Sequence, residues 1–220
     1  MKKSKLILLL ATLFCLVVSV TAQAQDRISD YFFADGNSSY YVQVGEKGSP
    51  HEKIPVRFER NSQGGYLEED PPIPLIGGLL YKKAYDINCY SLSISDNTVT
   101  ALEWWTRGKG LPAESASRNN LRNNIVLLKL PAGKETLTWT NNLYTDGKLS
   151  QTWEMSAKRV FVPMEKDGAW IAVPALQIIR NVFDAEHNPV PDQSITEYWQ
   201  SGKGKVKEVK VKYHSGSFCT

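Results

Sequence analysis

"KIPVRFER", residues 53–60, decides the fold class. In an extended chain Ile54, Val56 and Phe58 fall on one face, and Lys53, Arg57 and Glu59 on the other. Successive side chains of a strand point to opposite faces, so a period of two marks a strand with one packed and one wet side. The same alternation recurs outward along the chain. "CYSLSIS" (89–95) alternates Tyr90, Leu92 and Ile94 with serines, and "KETLTWT" (134–140) alternates Leu137 and Trp139 with threonines. "NNIVLLKL" (123–130) has a continuous apolar run instead, which predicts a strand buried on both faces. Gly64-Gly65, Asp96-Asn97, Asp146-Gly147 and Asp167-Gly168 supply turn residues between these runs.

The expected fold is therefore all-β: a single domain built on a curved antiparallel sheet, either a half-barrel or a two-sheet sandwich. It should have about ten strands and little helix. A short helical turn is expected near 27–34 and another near 114–122. Two irregular stretches interrupt the pattern. "EEDPPIPLIGG" (68–78) carries three prolines and two glycines and is excluded as a central strand, and "TRGKGLPAESASRNN" (106–120) reads as a long polar loop.

The N-terminus reads as a secretory signal. Lys2, Lys3 and Lys5 precede an apolar stretch from Leu6 to about Val20, and Ala22-Gln23-Ala24 suits a cleavage site. The stretch is shorter than the ~20 residues of a membrane span, and no second such stretch follows. Cys15 lies inside it behind bulky Leu13-Phe14, against a lipoprotein reading. The expectation is a cleaved peptide, 1–24, and a single β-rich domain, 25–220, exported to the periplasm or the extracellular space. Cleavage removes three lysines and no acids, so the formal charge falls from +3 to zero, with 23 basic against 23 acidic residues. A neutral chain disfavours a nucleic-acid partner. Two cysteines remain, Cys89 and Cys219, and an oxidising compartment would permit a bridge between them; two separate thiols are the alternative. Such a bridge would close a long loop, worth up to about 5 kcal/mol if unstrained.

The most basic segment is "ITEYWQSGKGKVKEVKVK" (195–212), five lysines against Glu197 and Glu208. It reads as a hairpin turning at Ser201–Gly204, with a phase slip near Lys207-Glu208 of the kind a β-bulge causes. Lysines on one face of an antiparallel strand are read as its solvated side.

That hairpin resembles the closing hairpin of several poorly characterised bacterial periplasmic families, through Tyr198, Trp199, Gly202, Gly204, Val206 and Lys207. "RVFVP" (159–163) and "LQIIRNVFD" (176–184) resemble the two strands before it. "DYFFADGNSSYYVQV" (30–44) resembles the opening "YFP-x-x-x-G-x-x-W-x-Y" of such domains, with Phe33 in place of the proline and Ser39 in place of the tryptophan. The resemblance implies a secreted domain on a curved sheet, broadly similar to the half-barrel of the periplasmic lipoprotein carriers, which hold acyl chains on the concave face. It supplies no catalytic residues.

Catalytic signatures are scarce. His51, His187 and His214 form no HExxH, HxH or Cys/His arrangement, and no G-x-S-x-G or phosphate-binding loop is present. No metal or cofactor site is expected. Six tryptophans and ten tyrosines are many for this length. Trp104 and Trp105 are adjacent, so one faces the core and the other does not. With Arg107 and the 106–120 loop they form the candidate binding platform for an acyl chain or a sugar ring. The leading expectation is a non-enzymatic exported domain that holds a lipid or other amphiphile on the open face of its sheet. An envelope protein- or polysaccharide-interaction module is the alternative, and a hydrolase of envelope polymers the third. A concavity filled by the protein's own side chains favours the second reading, and an open apolar one the first.

Overall fold

A computed structural model describes residues 26–44, 50–70, 75–76, 79–80, 86–108, 122–166, 168–190 and 193–210. The segment expected to be a signal peptide, most of the 106–120 loop with its expected helical turn, and Cys219 lie outside them. The chain runs α1 (Ile28–Tyr31), β1 (Gly36–Val44), β2 (Pro50–Arg60), β3 (Gly64–Glu69), β4 (Leu75–Ile76), β5 (Leu79–Leu80), β6 (Asp86–Ile94), β7 (Thr98–Gly108) and β8 (Arg122–Lys129). It continues through β9 (Leu137–Thr145), β10 (Lys148–Lys166), β11 (Ala169–Asp184), β12 (Ile195–Gln200) and β13 (Gly204–Lys210). The all-β expectation holds, and the alternative between half-barrel and sandwich resolves to one curved sheet of eleven strands, nearly closed into a barrel. Among the described residues, strands β4 and β5 pair only with each other.

Two antiparallel meanders make the sheet. One runs β1-β2-β3-β6-β7-β8 and the other β9-β10-β11-β12-β13. They join where the first strand lies parallel to the last, Tyr41 opposite Lys207 and Val44 opposite Lys210. At the other junction, between β8 and β9, side chains replace the ladder. Val126 N–H donates to Asn141 Oδ1 at 2.9 Å, and Asn141 Nδ2 donates back to Val126 O at 2.9 Å. Trp139 Nε1 donates to the same carbonyl at 3.0 Å. The asparagine amide thus stands in for a peptide unit of the missing ladder.

One end of the barrel is stoppered by α1 and the two phenylalanines after it. Ile28 N–H donates to Asp96 O at 2.9 Å, and Gly202 N–H to Asp30 O at 2.6 Å. Phe32 stacks on Trp199 with centroids 5.5 Å apart and meets Phe58 edge-on at 5.1 Å; Phe33 lies 5.3 Å from Trp199. The helical turn expected near 27–34 is this stopper.

The inward faces of the strands form one core that includes Tyr40, Val56, Leu92, Ile125, Trp153 and Ile178. The "NNIVLLKL" strand is the edge strand β8, and only Ile125 and Leu128 of its run are buried. The register slips at Val99/Thr100, which leaves Leu127 unopposed and changes the phase. Outside the barrel, β10 and β11 continue as a two-stranded arm. Ladder partners on β9 end at Ala157 and those on β12 end at Leu176, while β10 and β11 stay paired to Lys166 and Ala169.

Candidate functional site

The bulge expected in the last hairpin is present, and it changes what the lysines do. Trp199 opposes Lys205 and Tyr198 opposes Lys207, so Val206 is the extra residue. Val206 and Lys207 therefore both face outward, while Lys205, Glu208 and Lys210 line the interior cavity. The reading of the basic strand as a solvated face is corrected here: Lys205 is 4% exposed.

Lys205 Nζ sits 2.9 Å from Glu69 of β3, 3.2 Å from Glu197 of β12 and 3.2 Å from Glu208 of its own strand. It lies 3.9 Å from the centroid of the Tyr40 ring, a cation–π contact in a desolvated setting. The second oxygens of two carboxylates are also engaged: Tyr90 Oη donates to Glu69 Oε2 at 3.1 Å, and Trp199 Nε1 to Glu197 Oε2 at 3.0 Å. Burial by itself would drive the Lys205 amine toward neutrality, but Glu197 and Glu69, then Tyr40 and Glu208, hold it well above the ordinary lysine value. Burial would likewise raise Glu208, yet Lys205 first, then Lys210 and Arg180, keep its carboxyl below the usual range. Burial pushes the Tyr40 and Tyr90 phenols well up, with Glu69 adding to it.

Above this cluster the interior leaves a cavity of about 190 Å3, walled by Tyr90, Trp104, Trp153, Met155 and Arg180 among others. Trp104 stacks on Tyr90 at 5.6 Å and lies 5.6 Å from Trp153, whose ring carries the Arg180 guanidinium at 4.5 Å. Trp105 faces the other way. It packs with Ile87, Cys89 and Tyr66 in a small separate cluster outside the barrel. The adjacent tryptophans thus divide between two faces as the strand geometry requires. Arg107 belongs to β7, where its backbone alone is described. Cys89 is fully buried in that outer cluster, its Sγ 3.7 Å from Ile87 O.

A second depression lies on the outer face, between the arm and strands β1, β11, β12 and β13. It measures about 690 Å3 and is walled by Val160, Val162, Phe161, Pro163, Trp170 and Val206, with Tyr41 and Tyr198 on its floor. Lys158 and Lys207 border it, and among the described residues no acidic side chain does. Phe161 and Trp170 are 73% and 72% exposed, unusual for rings of that size. Sequence reading missed this groove because Trp170 looks like any cross-strand tryptophan. The available signal was the length of the apolar run on both sides of Asp167-Gly168.

His187 lies exposed in a turn and stacks on Phe183 at 4.5 Å. Among the described residues no group of three or more His, Cys, Asp or Glu is placed to hold a metal ion. No described helix is long and apolar enough to cross a membrane. No family model, curated protein or solved structure matches the chain.

Proposed function

We propose that this chain is an exported, non-enzymatic binding domain for an anionic, single-chain amphiphile such as a fatty carboxylate. The ligand lies in the outer groove beneath the β10–β11 arm, not on the concave face of the sheet. The groove itself carries the reading: apolar walls, two exposed rings and two bordering lysines. Its volume falls inside the roughly 300–1,000 Å3 of ligand sites, whereas the cavity around the Lys205 cluster, at about 190 Å3, falls below. The interior is occupied by Tyr40, Tyr90, Trp153, Trp199 and the Lys205 cluster, which leaves no length for an acyl chain. Lysines suit an anionic head group, and their alkyl stems extend the apolar wall. Lys205 gives no support to hydrolase chemistry, since an ammonium among three carboxylates is neither base nor nucleophile.

Native mass spectrometry of the protein incubated with laurate tests this. One laurate should bind per chain. The double variant Phe161→Ala, Trp170→Ala should weaken binding about tenfold or more, and Lys158→Gln with Lys207→Gln should erase the preference for laurate over dodecyltrimethylammonium. Equal binding of the two amphiphiles by the unaltered protein would reject the anionic head group. An absent laurate adduct would reject the reading altogether.

The filled barrel also favours a second reading, an envelope protein- or polysaccharide-interaction module that uses the same arm. The arm has apolar residues on both faces: Phe161, Pro163, Trp170 and Pro174 lie on one, Val160, Val162, Ile171 and Val173 on the other. If laurate fails to bind and Trp170→Ala dissociates a complex with a second protein or an envelope glycan, this reading replaces the first.

A further inference from the structure

The end of the barrel away from α1 carries a second feature, independent of the outer groove. Arg180, Ile195 and Lys210 lie opposite one another across β11, β12 and β13, so the two cations share a rung two strands apart, about 10 Å between backbones. The interior cavity continues past this rung into a space of about 290 Å3, and the two share Trp104, Trp153, Arg180, Ile195, Glu208 and Lys210 as walls.

Glu208 is the carboxylate whose charge Arg180 and Lys210 feel here. Glu69, Glu197 and Glu208 all converge on Lys205, deeper in the barrel. Arg180 and Lys210 form no ion pair among the described residues. Arg180 packs its guanidinium on Trp153, and its Nε is buried without a hydrogen-bond partner. A buried donor left unpaired costs about 1–3 kcal/mol, more when charged, so its persistence points to an acceptor that the described residues do not provide. A guanidinium fixed on an aromatic face presents its fork to a planar bidentate acceptor, which a carboxylate matches. Beside it, Trp104 and Trp153 offer ring edges, and Val182 and Ile195 an aliphatic wall. A cavity of about 150 Å3 suffices for a benzene ring.

We propose that this end of the barrel binds a small organic carboxylate with an aromatic or compact apolar body. The carboxylate engages Arg180, Lys210 supplies the second positive charge, and the body lies against the edges of Trp104 and Trp153 and the aliphatic wall of Val182 and Ile195. The site is separate from the amphiphile groove: it takes small planar acids and has no room for a chain.

Benzoate and its uncharged isostere benzamide are suitable probes, followed by tryptophan fluorescence and by calorimetry on the whole chain. Benzoate should give a saturable signal, and benzamide should bind at least about tenfold more weakly. Arg180→Gln should lower benzoate affinity by about tenfold or more, Lys210→Gln by less, and Arg180→Lys should retain part of it. Trp170→Ala should leave benzoate binding unchanged, which separates a failure here from a failure of the outer groove. If Arg180→Gln lowers the unfolding midpoint, Lys210→Gln, at a half-buried position on the rim, carries the test. Equal affinity for benzoate and benzamide, an absent benzoate signal, or wild-type benzoate affinity in Arg180→Gln would each overturn the assignment.

Discussion

A lysine side chain that is 4% exposed persists inside this barrel because three carboxylates from three strands and a tyrosine ring surround its ammonium. Removing the cation leaves the carboxylates facing one another in a poorly solvated space. Lys205→Met should therefore cost about 3–5 kcal/mol in urea unfolding. Adding Glu69→Gln, Glu197→Gln and Glu208→Gln should recover part of that loss, since the penalty lies in uncompensated charge. The pH dependence follows from the two shifts. Glu208 has a depressed carboxyl value in the folded state, so its contribution is present above the unfolded value of about 4.3 and lost as pH falls through the lower folded one. Lys205 is shifted upward, so its contribution is complete below the unfolded value of about 10.4 and lost only as pH rises through the folded one. The urea midpoint should hold between about pH 5 and 10 as far as this cluster governs it, and fall below about pH 4. In Glu208→Gln the acid fall should be shallower. Gly204 is a different kind of constraint. It has φ +81°, and a Cβ there would stand 2.4 Å from Phe33 Cδ1. Gly204→Ala should cost about 1–3 kcal/mol by displacing the aromatic stopper, readable as a lower thermal midpoint and altered near-ultraviolet circular dichroism.

At the level of the elements, the seam between β8 and β9 has the fewest redundant contacts. Asn141 alone satisfies both the N–H and, with Trp139, the C=O of Val126. Asn141→Ala should destabilise by about 1–3 kcal/mol and speed amide exchange at Val126 more than at Ile178 in the interior strand β11. Equal acceleration at both positions would mean that the seam is not a local weak point. The arm makes the opposite prediction. Phe161 and Trp170 are largely in solvent, so replacing both with alanine should change the unfolding free energy by no more than about 0.5 kcal/mol per residue. Pro163 and Pro174 sit where β10 and β11 have no outer neighbours, and a proline on an edge denies a donor to an incoming strand. The arm therefore presents faces, not edges, to whatever it meets.

For the whole molecule, closure depends on strands from opposite ends of the chain. Pairing Tyr41 with Lys207 brings the first strand to the last, and neither β1 nor β13 has a complete ladder until that contact forms. Such non-local pairing is slow to form, so refolding followed by tryptophan fluorescence should take milliseconds to seconds and lack a dominant microsecond phase. Alternation of apolar and polar residues in stretches such as "KIPVRFER", with Asp-Gly and Asp-Asn turns between them, determined the all-β class, most strand positions and the opposite destinations of Trp104 and Trp105. Those features are local, because side-chain direction in a strand has a period of two whatever the strand packs against. The expected phase slip in the last hairpin was legible for the same reason. Which of its faces was inside was not, because lysines on a strand signal solvent unless carboxylates distant in sequence meet them. Glu69 reaches Lys205 only after the sheet curls β3 toward β13 across β1 and β2. The outer groove has the same origin: Tyr41, Trp170, Tyr198 and Lys207 come from four strands, and only the ordering of those strands in the sheet makes them one surface. Local pattern chose the strands; long-range pairing, which no short window of sequence encodes, chose their neighbours and so built both sites.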